Sequence, residues 1–95
     1  WDASSCAAAG YNLLYGNLAD VAGLTLAGSE CGLGNGGSFS WNAVPAGDLF
    51  FLVVGTDGAG TESGWGRDAT GGERDGLFSS GECGVSAKDV SSTCP

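Results

Sequence analysis

The chain has 95 residues, with 11 acidic against 3 basic side chains and a formal net charge of −8. That balance argues against nucleic acid and anionic lipid as partners, because both reward cationic surfaces. No apolar run approaches the ~20 residues a membrane-spanning helix needs, so no membrane insertion is expected.

Ninety-five residues make one domain, 1–95, with a modest core. Nineteen glycines mean many turns and few helix interiors. Four cysteines, Cys6, Cys31, Cys83 and Cys94, form an even set with no CxxC pair, and there is no histidine. A zinc site and the usual nucleophilic triads therefore lack their residues. Two disulfides are the natural reading, and they imply an oxidising, extracellular setting. The chain opens on Trp1 without a signal peptide, which reads as a processed chain or part of a longer one.

Trp1 to Cys6 is a short segment that reads as the end of a strand. Ala7 to Gly10 is a loop, too short for a helix to stand alone. Gly10 to Gly16 is a clear strand, with Tyr11, Leu13 and Tyr15 on one face at period two. Asn17 to Gly23 suits one helical turn capped by Asn17, and Leu24 to Leu26 a brief strand. Ser29 to Gly37 holds four glycines and reads as a loop. Ser38-Phe-Ser-Trp-Asn42 alternates polar and apolar, a half-buried strand with Phe39 and Trp41 inward.

Leu49-Phe-Phe-Leu-Val-Val-Gly55 is the longest unbroken apolar run. It lies between the turn Pro45-Ala-Gly-Asp48 and the loop Gly55 to Gly60. Both of its faces are apolar, so it should run centrally with cover on each side. Ser63 to Asp68 suits a further strand anchored by Trp65, and Ala69 to Arg74 a turn. Asp75 to Pro95 is a tail of short segments, 76–78, 84–86 and 88–90. Short strands separated by Gly-rich turns point to an all-β sandwich.

The order of these pieces resembles the fibronectin type III family, a kind of immunoglobulin-like β-sandwich. Trp1, Tyr11 with Leu13, Val44-Pro45 with Gly47, and Leu49, Phe51 and Val53 occupy that family's places in order, over roughly residues 1 to 70. Tyr11 to Gly16, Phe51-Leu-Val53, Gly58 to Gly66 and Gly71-Gly-Glu-Arg74 are similar to a divergent, disulfide-bearing form found in secreted multidomain bacterial proteins. The resemblance implies a sandwich core over about 1–70 and a disulfide-closed tail over about 75–95. It also implies a missing first strand and most of a second before Trp1, leaving the sandwich N-terminally incomplete. Secretion to the bacterial cell surface is a further implication. No Arg-Gly-Asp tripeptide is present, so integrin-type recognition is not implied.

Four cysteines allow three connectivities. The resembling form places its cysteines similarly and favours Cys6–Cys31 with Cys83–Cys94. The first pair would tie two loops, and the second would close a tail that lacks a core. Cys31–Cys94 with Cys6–Cys83 is the competitor.

No catalytic residue stands out. The carboxylate pairs Glu62 with Asp68 and Glu73 with Asp75 could in principle cleave glycosides, but on Gly-rich turns they read as solvated loop charges. Asp57 and Glu62 offer hard oxygen ligands on a loop and are the candidate calcium pair. The alternative is an ordinary turn. Trp65, between two glycines, is the candidate for ligand stacking, against a place in the core or an interface. Arg74, between Glu73 and Asp75, suits an ion pair.

An incomplete sandwich exposes an edge that invites pairing with another chain. The expectation is a non-enzymatic, extracellular structural or adhesive domain. Its partners are copies of itself or neighbouring domains of the same protein, in a cell-surface or filamentous assembly. The alternative is a carbohydrate- or calcium-binding accessory module of a secreted enzyme.

Overall fold

The two longest runs of β-forming residues pair with each other and set the frame. In the computed structural model, which describes residues 1–4 and 7–91, β1 is Gly10–Asn17 and β3 is Leu49–Thr56. They are antiparallel over their whole length, from Gly10 opposite Thr56 to Asn17 opposite Leu49. β2, Gly28–Glu30, adds to the far side of β1. β4, Thr61–Ser63, turns back antiparallel on β3. β5, Ala87–Asp89, adds to β4 in parallel. The order across the sheet is β2-β1-β3-β4-β5. The apolar run at Leu49–Gly55 is thus the middle strand, as its composition requires.

The all-β class holds, but the described strands make one curled mixed sheet. The curl shows in the disulfide. Cys31 directly follows edge strand β2, and Cys83 lies four residues before β5 on the opposite edge. Their Cα atoms are 5.6 Å apart and their sulfurs are bonded. Asn12 borders one cavity with both cysteines, so the bridge crosses the face that carries Asn12 and Leu14.

Cys31–Cys83 corrects both connectivities weighed from the sequence. Pairing by nearness along the chain missed that curling brings two sheet edges together. Only this bridge lies among the described residues; the expected Cys6 and Cys94 partners lie outside them. With its ends 52 positions apart in sequence, the bridge constrains the unfolded chain by about 4 kcal/mol in the chain-entropy model.

One sheet face carries the core. Leu14 and Val54 are buried against Trp65, with Leu24, Leu26 and Leu52 packed beside them. Gly16 lies on the same face, where a β-carbon would run into the Phe50 ring and the Thr25 carbonyl. Tyr11, Leu13 and Tyr15 share the opposite face, as their period-two spacing predicts. Aromatic rings cover it: Trp1 lies 5.1 Å from Tyr11, and Trp41 lies 5.2 Å from Tyr15. Cover ends at Phe51, which is 60% exposed. The expectation that β3 is covered on both sides is corrected there, because loops replace a second sheet over that face.

Other boundaries move for local reasons. Residues 18–23 form a 3-10 helix, and Asn17 stands at its start without a side-chain capping bond. Leu24 ends it in the left-handed region, at φ 51°. Residues 24–26 and 38–42 are irregular, not strands. Trp41 is held there by its indole N–H donating to Glu30 Oε1 at 3.2 Å, while Phe39 is exposed. β2 runs into the start of the stretch expected to be a loop, and β4 ends before Trp65. Trp1 to Ser4 holds no strand. Within the C-terminal segment, β5 belongs to the sheet.

Candidate functional site

The chemistry-bearing residues gather around the β3–β4 hairpin and the segment 64–80 that follows it. Gly58 and Gly60 adopt positive φ, which lets the chain reverse within four residues. The turn closes on Asp57. Its Oδ1 accepts the Ala59 N–H at 2.7 Å and the Thr61 N–H at 3.0 Å. These two backbone donors hold the Asp57 carboxyl below its ordinary pKa, since they stabilise the charged form.

Glu62 stands opposite Thr56 in the hairpin and is almost wholly buried. A buried carboxylate is costly unless donors satisfy it. Here Oε1 accepts the Trp65 indole N–H at 3.2 Å and the Ser80 N–H at 2.5 Å. Oε2 accepts the Ser80 hydroxyl at 2.9 Å. The two members of the candidate calcium pair therefore border one cavity of about 340 Å³ but perform different tasks. Asp57 closes a turn, and Glu62 ties segment 64–80 to the hairpin. No group of three potential metal ligands occurs among the described residues.

Trp65 is buried, with 6% of its surface exposed. The Lys88 ammonium sits 4.1 Å from its ring centroid, a cation–π geometry. Its main-chain N–H donates to Glu73 Oε2 at 2.8 Å. Glu73 in turn pairs with Lys88 Nζ at 3.3 Å, and the Lys88 side chain is fully enclosed. Lys88 also donates to the carbonyls of Arg74, at 2.8 Å, and Gly76, at 3.1 Å. One ammonium thus fastens β5 to the turn at residues 74–76 through three acceptors and a ring.

The other carboxylates weighed from the sequence serve turns. Asp68 Oδ1 accepts the Thr70 hydroxyl at 2.6 Å and the N–H groups of Thr70 and Gly72, at 2.9 and 3.1 Å. These bonds, the Thr70 hydroxyl first, lower its pKa. Glu62 and Asp68 are engaged with different donors; Glu73 takes the Trp65 N–H and the Lys88 ammonium, while Asp75, two residues on, takes a left-handed conformation at φ 58°.

Two residues here escaped the sequence reading. The ion pair expected at Arg74 forms instead between Glu73 and Lys88. The signal was its position in the alternation Ser86, Lys88, Val90, which puts it on one strand face. Asn12 is buried, and its Oδ1 accepts the Gly32 N–H at 3.0 Å. An amide inside an otherwise apolar strand was the clue.

The cavity that Asp57 and Glu62 border is also lined by Ala8, Gly55, Ser63 and a third acidic residue, Asp89. A groove of about 460 Å³ runs between the 3-10 helix and β3, lined by Val21, Leu24, Phe51 and Leu52 with Asp68 and Arg74 beside them. No protein-family model matches the chain, and no curated protein or solved structure matches it either.

Proposed function

We propose that the chain is a non-enzymatic, extracellular structural or adhesive β-domain of fibronectin type III-like kind. It works as a subunit or module whose neighbours are copies of itself or adjoining domains. One observation carries this reading. The ionisable groups around the hairpin are spent on internal ties, whereas large apolar side chains stand in solvent. Phe51, Leu77 and Phe78 are each more than half exposed. Surfaces of that kind mark contacts with other macromolecules. The disulfide between sheet edges suits an oxidising setting. The edge strands β2 and β5, of three residues each, supply the positions where a neighbouring strand adds.

A second reading rests on the cavity beside the hairpin. A pocket lined by Asp57 and Asp89 suits calcium or a hydroxyl-rich sugar, as in an accessory module of a secreted enzyme.

Electron microscopy of the native material, with hydrogen exchange at the β2 and β5 amides, tests the first reading. Ordered assemblies with protected edges are expected. Discrete particles with open edges, together with a melting temperature raised by calcium or a glycan, overturn it in favour of the second, because a specific ligand stabilises by mass action.

A further inference from the structure

The bridge between the two sheet edges is built unlike a buried staple. Cys31 is exposed and Cys83 half-buried. Both line a cavity of about 440 Å³, where Gly32, Gly58, Gly60 and Gly84 leave room beside the bridge. Cys83 adopts positive φ, 57°, between Gly81 at 71° and Gly84 at 73°. That conformation is unfavourable for a residue with a β-carbon, so opening the bridge frees this stretch of backbone to relax.

The chain around each cysteine has ties of its own. After Cys31, the Gly32 N–H donates to Asn12 Oδ1 at 3.0 Å and the Leu33 N–H to the Tyr11 carbonyl at 2.9 Å. On either side of Cys83, the Ser80 hydroxyl donates to Glu62, and the Ser86 and Ala87 N–H groups donate to the Gly60 carbonyl at 2.9 and 3.2 Å. The two sulfurs therefore stay near each other once parted, and proximity of that kind favours re-closure.

One hydroxyl faces the bridge. Ser29 Oγ lies 3.5 Å from Cys83 Sγ and 3.8 Å from Cys31 Sγ. A bonded sulfur carries no proton, so the hydroxyl is the donor. A donor in that place favours a thiolate over the uncharged sulfur.

We propose that Cys31–Cys83 is a reversible redox clasp, opened by an external dithiol at the exposed Cys31, with Ser29 as the positioning residue that receives the Cys83 thiolate. A thiolate of the dithiol bonds to Cys31 Sγ, the bond between the two cysteines breaks, and Cys83 leaves with its electron pair. The second thiol of the reagent then attacks the mixed disulfide and releases Cys31. Two electrons and two protons pass to the cysteines, and the dithiol is oxidised to a disulfide. Opening loosens residues 81–85 and parts the two sheet edges while β1 and β3 stay paired. The clasp goes beyond the structural reading and does not rest on it.

Dithiothreitol on the intact folded chain tests the clasp, with alkylation and peptide mapping to place each freed thiol and glutathione to trap the first adduct. Cys31 and Cys83 should be labelled while β1 and β3 amides stay protected. Amides 81–85 should exchange faster, the glutathione should sit on Cys31, and oxidised dithiothreitol should restore the bridge. Ser29→Ala, with its melting temperature measured alongside, should open several-fold more slowly, and its reduced Cys83 should become reactive only at higher pH, because the leaving thiolate has lost its donor. A bridge that opens only as the whole sheet unfolds, or a reduced chain without β1–β3 protection, overturns the clasp and makes the bridge a structural staple. A first adduct on Cys83, or a Ser29→Ala chain with unchanged rate and titration, overturns the assigned route.

Discussion

The β1–β3 half and the β4–β5 half of this sheet are held together by different physics. β1 and β3 pair over eight residues each and bury Leu14 and Val54 against Trp65. That contact is non-directional, and its strength follows the apolar area removed from water. β4 and β5 have three residues each, too few to bury a comparable face. Their side of the sheet depends on Glu62, Glu73, Ser80 and Lys88, whose bonds are directional and buried. Such a network stabilises when every member is satisfied and fails sharply when one is removed. One half tolerates changes of shape better than the other tolerates changes of chemistry.

The largest effect should come from breaking the apolar half. Leu14→Ala leaves a cavity in the middle of the core and should cost about 3–4 kcal/mol, read as a lower midpoint in chemical denaturation. All five strands should lose protection together, since β1 contacts both β2 and β3. If exchange rises only in β1, the two halves are more independent than the shared core implies.

Lys88→Met should act more locally. It keeps the side-chain volume and removes the ammonium from Glu73, two carbonyls and the Trp65 ring. The expected loss is about 2 kcal/mol, the scale of hydrogen bonds to a charged group. Amides of β5 and of residues 74–78 should exchange faster while β1 and β3 stay protected. A uniform rise across the sheet would break the division between the halves.

The smallest effect concerns pH. Asp57, Asp68 and Asp89 all have pKa values below the ordinary 3.8 because local donors favour their charged forms: backbone amides first at Asp57, neighbouring hydroxyls first at Asp68 and Asp89. A carboxyl whose folded pKa is depressed stabilises the fold above its unfolded pKa. That contribution fades as pH falls from about 3.8 through the folded value. Acid should therefore loosen the turns at 57–61 and 68–72 before the β1–β3 pair melts, seen as early line broadening of Ala59, Thr61 and Gly72 amides. In Asp57→Asn the hairpin amides should lose this acid dependence. A variant that keeps the wild-type profile would assign the acid response elsewhere.

The asymmetry between the halves also explains what could be read in advance. β1 and β3 declare themselves by period and composition, and the turn after β3 by its glycines. Tyr11, Leu13 and Tyr15 fall on one face as their spacing requires. The polar half left no comparable pattern. Glu62, Trp65, Glu73, Ser80 and Lys88 are spread over 27 positions, and nothing local says that they converge. Asp57 and Glu62 looked like a pair because they are close in sequence. Asp57 lies just past the end of β3 and folds back on its own turn, whereas Glu62, on β4, turns inward to Trp65 and Ser80.

Local sequence thus determined the all-β class, the central place of Leu49–Gly55 and the facing of β1. Those properties follow from side-chain period and backbone preference, which act over a few residues. Tertiary structure alone decided the single curled sheet, the parallel addition of β5, the burial of Lys88 and the Cys31–Cys83 bridge. Each depends on groups far apart in the chain meeting in space. Which of them meet is set by how the sheet twists and curls, a property of the assembled strands together.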